Sequence, residues 1–120
     1  MTATRALTST PRFLHGVFAF EGKGLMEPFL LDASLVYTVP HESEAQLVYF
    51  RAGNASDQLI YIVIMRDGAP MRYFPIGAQA DTHVPLRVVE DLLGDTRLEL
   101  FVAAPEGRAE IVVDLGLVEI

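Results

Sequence analysis

Short apolar runs separated by turns occupy most of this chain and restrict it to a β-rich fold. The runs span residues 12–20, 29–31, 34–39, 45–51, 58–66, 71–76, 82–86, 96–103 and 109–120. Turn-forming residues separate them at intervals of about eight to twelve residues, which is typical of all-β domains. We therefore predict a single two-layer antiparallel β-sandwich over residues 12–120, with a small β-barrel as the alternative. The polar, threonine-rich segment 1–11 is predicted to be a flexible tail.

Two local patterns predict more detailed structure, one for a tight turn and one for a corner between strands. Asp67-Gly68 predicts a tight hairpin, because both residues tolerate the positive φ of a type I′ turn. Residues 84–104 run from an apolar segment through Gly94 and Thr96 into an alternating strand. This pattern resembles the E-to-F corner of fibronectin type III and related immunoglobulin-like sandwiches. The resemblance concerns the fold only and carries no function. About seven or eight strands, short turns and no alternation of strands with helices favour a Greek-key sandwich. Segment 85–94 is compatible with a short helix or a strand corner.

The charge and the residue types present exclude several classes of function. Nine basic residues stand against sixteen acidic ones, giving a net charge of −7. A chain of this charge repels phosphates and anionic lipids, so neither nucleic acid nor membrane is predicted as a partner. The chain has no cysteine, which excludes disulfides and thiolate chemistry and favours a reducing compartment. Because the N-terminal residues lack a signal-peptide pattern, a cytoplasmic location is expected.

The middle strands are apolar on both faces, whereas a strand with one solvent-exposed face alternates apolar and polar residues. In run 58–66 one face carries Ile60, Ile62 and Ile64, and the other carries Leu59, Tyr61, Val63 and Met65. Run 45–51 has the same character and includes Leu47 and Tyr49. Only one face of each strand can fill the core of a sandwich, and the sequence leaves open which one it is.

The second apolar face predicts a binding surface. Large exposed apolar patches are rare on monomers, so we expect a cover over Leu59, Tyr61, Val63 and Met65, together with Leu47 and Tyr49. The favoured interpretation is a non-catalytic structural or accessory protein whose apolar sheet face contacts another copy or a larger protein. Cover by an internal segment such as residues 22–33, or a ligand groove, are the alternatives.

Regularly spaced tyrosines support a second hypothesis, a module that binds a small ligand or a carbohydrate. Tyrosines recur every twelve residues, at Tyr37, Tyr49, Tyr61 and Tyr73. Tyr61 and Tyr73 would supply an aromatic platform, and Arg66 and Arg72, beside the predicted hairpin, would grip a carboxylate. Ordinary cross-strand aromatic packing explains the same spacing.

A metal-dependent enzyme is the third hypothesis. It would use His41 and His83 with nearby acidic residues, because imidazoles and carboxylates bind zinc or iron. The histidines lack the spacing of known metal motifs, and no nucleophile motif or phosphate-binding loop is present. We therefore predict no enzymatic activity, no cofactor and no metal. Asn54-Ala55-Ser56 matches the glycosylation pattern and is interpreted as an ordinary loop.

Overall fold

The computed structural model describes residues 9–87 and 90–120, which form ten β-strands in two antiparallel sheets. The strands are β1 (Thr10–Gly22), β2 (Phe29–Leu30), β3 (Val36–Thr38), β4 (Glu44–Asn54), β5 (Ile60–Arg66), β6 (Ala69–Ile76), β7 (Asp81–Pro85), β8 (Asp91–Leu93), β9 (Arg97–Ala103) and β10 (Gly107–Glu119). The first sheet has the order β1-β10-β4-β7, with β8 also paired to β4. The second has the order β2-β9-β5-β6, with β3 also paired to β9.

The predicted antiparallel β-sandwich is confirmed. The described chain contains ten strands rather than about seven or eight, because short pieces such as β2 and β8 pair as strands of their own. Its first and last strands are neighbours, an order that differs from the ABED and CFG sheets of immunoglobulin domains. The two sheets share no strand within the described residues, so the alternative of a barrel is not formed.

The ends of the predicted segments differ in detail from the structure. Residues 1–8 of the predicted tail lie outside the described residues, and Thr10 and Pro11 already belong to β1. Segment 85–94 contains the end of β7 and the whole of β8, and no helix in its described residues. Residues 88–89 of that segment lie outside the described part. The corner then passes through Gly94–Thr96 into β9 of the second sheet.

Alternating side chains from both sheets fill the core. Ile60, Ile62 and Ile64 of β5 are fully buried, which identifies the core face that the sequence left open. Phe50 of the first sheet stacks on Phe74 of the second, with ring centroids 4.2 Å apart. Burial of side chains this large contributes about 1.5–3 kcal/mol each and holds the two layers together.

The hairpin between β5 and β6 has the predicted turn. Asp67 and Gly68 adopt φ values of 49° and 83°, as a two-residue type I′ turn requires. The Asp67 carboxylate also accepts a hydrogen bond from the Arg97 backbone N–H at 2.9 Å. The turn is thereby tied to the start of β9.

A polar cluster joins the sheets at one end of the sandwich. Glu119 of β10 accepts a hydrogen bond from Arg12 Nε at 3.0 Å and another from the Tyr37 hydroxyl. Arg12 lies on β1 in the first sheet, whereas Tyr37 lies on β3 in the second. The hydrogen bond from Arg12, and to a smaller degree the one from Tyr37, lowers the pKa of Glu119, although burial of the carboxylate acts in the opposite direction. The carboxylate therefore acts as a charged link between the layers.

Candidate ligand-binding site on the outer face of the first sheet

Four polar side chains form a line across the outer face of the first sheet. This polar row consists of His15 (β1), Asp114 (β10), Arg51 (β4) and His83 (β7), each directly opposite the next in the strand register. Directly paired residues project from the same face, and the residues that alternate with them, such as Leu14, Phe50 and Val113, are buried in the core. Each of the four strands supplies one side chain to the row, and neighbouring strands lie about 4.8 Å apart.

Asp114 is the best-anchored member of the polar row. Arg51 Nη2 lies 2.5 Å from Asp114 Oδ2, and the Tyr49 hydroxyl donates a hydrogen bond to Oδ1 at 2.8 Å. The Arg51 guanidinium carbon also lies 5.4 Å from the centre of the Tyr49 ring. Burial would raise the pKa of Asp114, but the hydrogen bonds from Arg51 and Tyr49 outweigh it and hold the pKa below its ordinary value. Asp114 is therefore an ionised acceptor held in place by its neighbours.

An aromatic row runs beside the polar row. It consists of Phe13, Gly116, Tyr49 and Pro85 in direct register. A Cβ atom at Gly116 would lie 2.1 Å from Cε2 of Tyr49, so the tyrosine ring lies against the backbone of β10 and only glycine fits beneath it. The ring also contacts His83 edge-on, with centroids 6.3 Å apart. Tyr49 thus has a fixed orientation between two members of the polar row.

An aliphatic row flanks the polar row on the opposite side. It consists of Val17, Val112, Gly53 and Asp81 in direct register. Val17 and Val112 are exposed, with 73% and 50% of their surface accessible. A Cβ atom built on Gly53 would have no neighbour within 4 Å. The missing side chain leaves a gap between Val112 and Asp81.

These features form an open depression across the four strands. It has a volume of about 640 Å³ and is lined by the polar and aliphatic rows, within the range of small-molecule sites. Its floor is apolar at Val17 and Val112 and carries hydrogen-bonding groups along one side. Such a surface suits a ligand with an apolar ring face and polar groups on its rim.

The apolar side chains predicted to form an interface occupy different environments. Val63 is 1% exposed, flanked on the outer face of the second sheet by Tyr73 and Phe101. Leu59 is 47% exposed, and Tyr61 and Met65 are half-buried. The Tyr61 hydroxyl donates to the Leu25 carbonyl at 2.8 Å, so a part of segment 22–33 lies beside it.

The two remaining interface candidates belong to the first sheet. Leu47 is buried in its core, whereas Tyr49 lies on its outer face in the aromatic row. The structure therefore does not bring the six residues together on one surface. The exposed part of the predicted interface consists of Leu59 with partial contributions from Tyr61 and Met65.

The residues of the predicted ligand platform are only partly adjacent. Tyr61 and Tyr73 contact each other, with ring centroids 5.7 Å apart. Arg66 pairs with Ala69 in the strand register and binds Glu90 at 3.2 Å. Arg72 lies opposite Ile64, so the two arginines do not face each other across the hairpin.

The two histidines of the metal hypothesis lie in different places. His41 lies in the turn before β4 and pairs with Asp95 at 2.8 Å, whereas His83 is part of the polar row. Among residues 9–87 and 90–120, no group of three or more potential ligands among His, Cys, Asp and Glu is placed to hold a metal ion. Nor does the described chain contain a helix of the length and apolarity needed to cross a bilayer.

Asn54, the predicted loop residue in the glycosylation pattern, is buried at the end of β4. Its side-chain amide donates to backbone carbonyls of two other segments. A buried and fully bonded amide is inaccessible to a modifying enzyme in the folded state.

Comparison with known proteins shows the fold alone. No protein-family model and no curated protein sequence matches the chain. Among solved structures, it is similar to the CBM36-1 domain of a multidomain xylanase from the hindgut metagenome of Trinervitermes trinervoides, with a TM-score of 0.59 and 16% sequence identity over 92% of this chain and 96% of that domain. It is also similar to a chain of infectious bursal disease virus strain Gx, with a TM-score of 0.52 and 12% identity over 92% of this chain. The match spans 32% of the viral chain.

Proposed function

We propose that this protein is a non-catalytic binding module that holds a carbohydrate on the outer face of its first sheet. The anchored Arg51–Asp114 pair carries the proposal, because it offers adjacent donors and an acceptor above an apolar floor. Neighbouring hydroxyl groups of a sugar combine donors and acceptors in the same way, and the C–H face of a sugar ring is apolar. The similarity of the fold to a carbohydrate-binding domain is consistent with this function.

The ionised state of Asp114 makes it unsuited to the role of a general acid. A carboxyl group that protonates a leaving group needs a raised pKa, whereas the pKa of Asp114 lies below its ordinary value. The carboxylate is thus suited to accept hydrogen bonds from hydroxyl groups and has no proton to donate near neutral pH.

Isothermal titration calorimetry with soluble β-1,4-linked oligosaccharides tests the proposal. We expect Arg51→Gln to lower the affinity at least tenfold, because it removes charged hydrogen bonds from the site. Arg97→Gln is the matched control, since Arg97 is an exposed arginine with an ion pair to Glu99 in the second sheet. Equal affinity of Arg51→Gln and the native protein, or loss of binding in the control, would contradict the assignment of the site.

Protein association is a second candidate function, favoured by the exposed apolar side chains of the second sheet. Leu59, directly before β5, is 47% exposed, and Tyr73 of β6, whose ring contacts Tyr61, is 58% exposed. Light scattering coupled to size-exclusion chromatography measures the mass in solution. A native protein that is a dimer, and a Leu59→Ser/Tyr73→Ser double variant that is a monomer, would support this candidate. A native protein that is a monomer at micromolar concentration would rule it out.

A further inference from the structure

The site has a shape that selects among carbohydrates. The polar row and the aliphatic row both extend across β1, β10, β4 and β7. Within the described residues, β1 and β7 are the outer strands at this level of the sheet. In the part of the chain that the structure describes, the depression that the two rows line is therefore open at both sides of the sheet.

The spacing of the polar row matches a repeating ligand. Successive members lie one interstrand step apart, about 4.8 Å, which is close to the length of one pyranose unit in an extended chain. His15 and His83 stand at the two ends, and the Arg51–Asp114 pair stands at the centre. Because the Arg51 and Asp114 side chains meet at 2.5 Å, His15, the central pair and His83 offer three hydrogen-bonding positions over the four strands.

The charges of the site disfavour an acidic ligand. The positive charge of Arg51 is already matched by Asp114 at 2.5 Å, and Asp81 adds a further carboxylate to the lining. The whole chain has a net charge of −7, so a polyanion would be repelled on approach. Neutral hydroxyl groups meet no such penalty.

Building on the proposed function, we propose that the ligand is a linear glycan of neutral pyranose units, bound along its interior and lying across the strands. The apolar faces of the sugar rings pack on Val17, Val112 and the gap at Gly53. Their hydroxyl groups bond to the polar row, with the two central sugars sharing the Arg51–Asp114 pair. Both ends of the glycan continue past the edges of the sheet.

A length series of oligosaccharides tests this inference by calorimetry. The probes are β-1,4-linked glucose, xylose and mannose oligomers from the disaccharide to the hexasaccharide. For the sugar that binds, the affinity should rise about three- to tenfold with each added unit up to the tetrasaccharide and then level off, because four units span the four strands of the polar row. An affinity that does not depend on length overturns the inference and leaves the proposed function standing, whereas absence of binding to every oligomer overturns both.

Two sets of variants locate the ligand. His15→Ala/His83→Ala should reduce the affinity of the tetrasaccharide to nearly that of the disaccharide, and His41→Ala, an exposed histidine outside the depression, should change neither. Gly53→Val should fill the floor and lower the affinity for all lengths at least tenfold. It should do so without unfolding the protein, because a Cβ atom there meets no neighbour. Circular dichroism confirms that each variant is folded.

Acidic and end-blocked probes complete the test. A β-1,4-linked glucuronate oligomer that binds more tightly than the β-1,4-linked glucose oligomer of equal length overturns the selection for neutral sugars. Blocking both ends of the tetrasaccharide should leave its affinity within a factor of about two. Loss of binding on blocking would show that the site takes chain ends, and the inference would then be wrong.

Discussion

Replacement of Asn54 by alanine is expected to destabilise the protein by about 3 kcal/mol. This side chain is 3% exposed, and its Nδ2 donates to the carbonyl oxygens of Gln58, Ile76 and Gly77 at 2.8, 3.2 and 3.0 Å. Its Oδ1 accepts a hydrogen bond from the Ser56 backbone N–H at 2.8 Å. One amide thus joins the turn after β4 to the turn after β6.

The magnitude follows from the number of bonds that the amide can make. The two N–H bonds of the Asn54 amide are shared among three carbonyl oxygens, so they count as two hydrogen bonds. The bond that Oδ1 accepts from Ser56 makes three hydrogen bonds in all. At about 0.5–1.5 kcal/mol each, their loss costs about 1.5–4.5 kcal/mol. In a domain of this size the midpoint of thermal unfolding should fall by roughly 10 °C.

Urea unfolding followed by circular dichroism measures this loss, with Gln58→Ala as the control. The Gln58 side chain is exposed, and the bond to Asn54 involves only its backbone, so the control should remain within about 0.5 kcal/mol of the native protein. Asn54→Asp should cost more than alanine at neutral pH, because a carboxylate would face three carbonyl oxygens. That environment raises the pKa of the new carboxyl group, so its penalty should shrink as the pH falls from about 7 to about 4. The reasoning is refuted if Asn54→Ala is as stable as the control.

Two further predictions concern the first sheet and its link to the second. Gly116→Ala should destabilise the protein by about 1–3 kcal/mol, because the new Cβ displaces the Tyr49 ring. In a double-mutant cycle, Gly116→Ala should cost much less in a protein that already carries Tyr49→Ala. Tyr37→Phe should cost about 1.5–3 kcal/mol near pH 7, since it removes a hydrogen bond to the charged Glu119. Arg12 and Tyr37 lower the pKa of Glu119, so their stabilisation is present above the unfolded-state pKa of about 4.3 and disappears as the pH falls through the folded-state pKa. Denaturant unfolding at a series of pH values should show the gap between native protein and Tyr37→Phe closing in acid, and a gap that stays constant would contradict the link.

Local patterns in the sequence were sufficient to predict much of the fold. Asp67-Gly68 forms the expected tight turn, because the φ values it needs depend only on those two residues. The alternation in β9 places Leu98, Leu100 and Val102 in the core. Both features are set by residues close together in the chain.

The residues of the candidate site could not be predicted from local patterns, because they meet only through the register of strands that are distant in sequence. His15 and Asp114 lie near opposite ends of the chain and meet only through the pairing of β1 with β10. Arg51 and His83 join them through two further pairings. One local sign was available: Asp114 is a charged residue within an otherwise apolar stretch of β10, which marks an outward position that needs a partner.

The apolar second face of β5 shows a different limit. Val63 belongs to that face, yet the chain buries it between the neighbouring strands β6 and β9. The other residues of that face, Leu59, Tyr61 and Met65, stay exposed or half-buried. Apolar residues on both faces of a strand therefore do not specify whether the second face is covered by the same chain, by another protein or only in part.

The central position of β10 has a consequence for how the protein is made. A ribosome releases β1 early, but within the described chain the only strand that pairs with it is β10, which emerges after all the others. The bond between Arg12 and Glu119 spans 107 positions, and contacts so distant in sequence slow folding. The thirteen-residue strand β1 therefore lacks its neighbour in the sheet until β10 has been made, and an unpaired strand of this length is prone to aggregation during that interval.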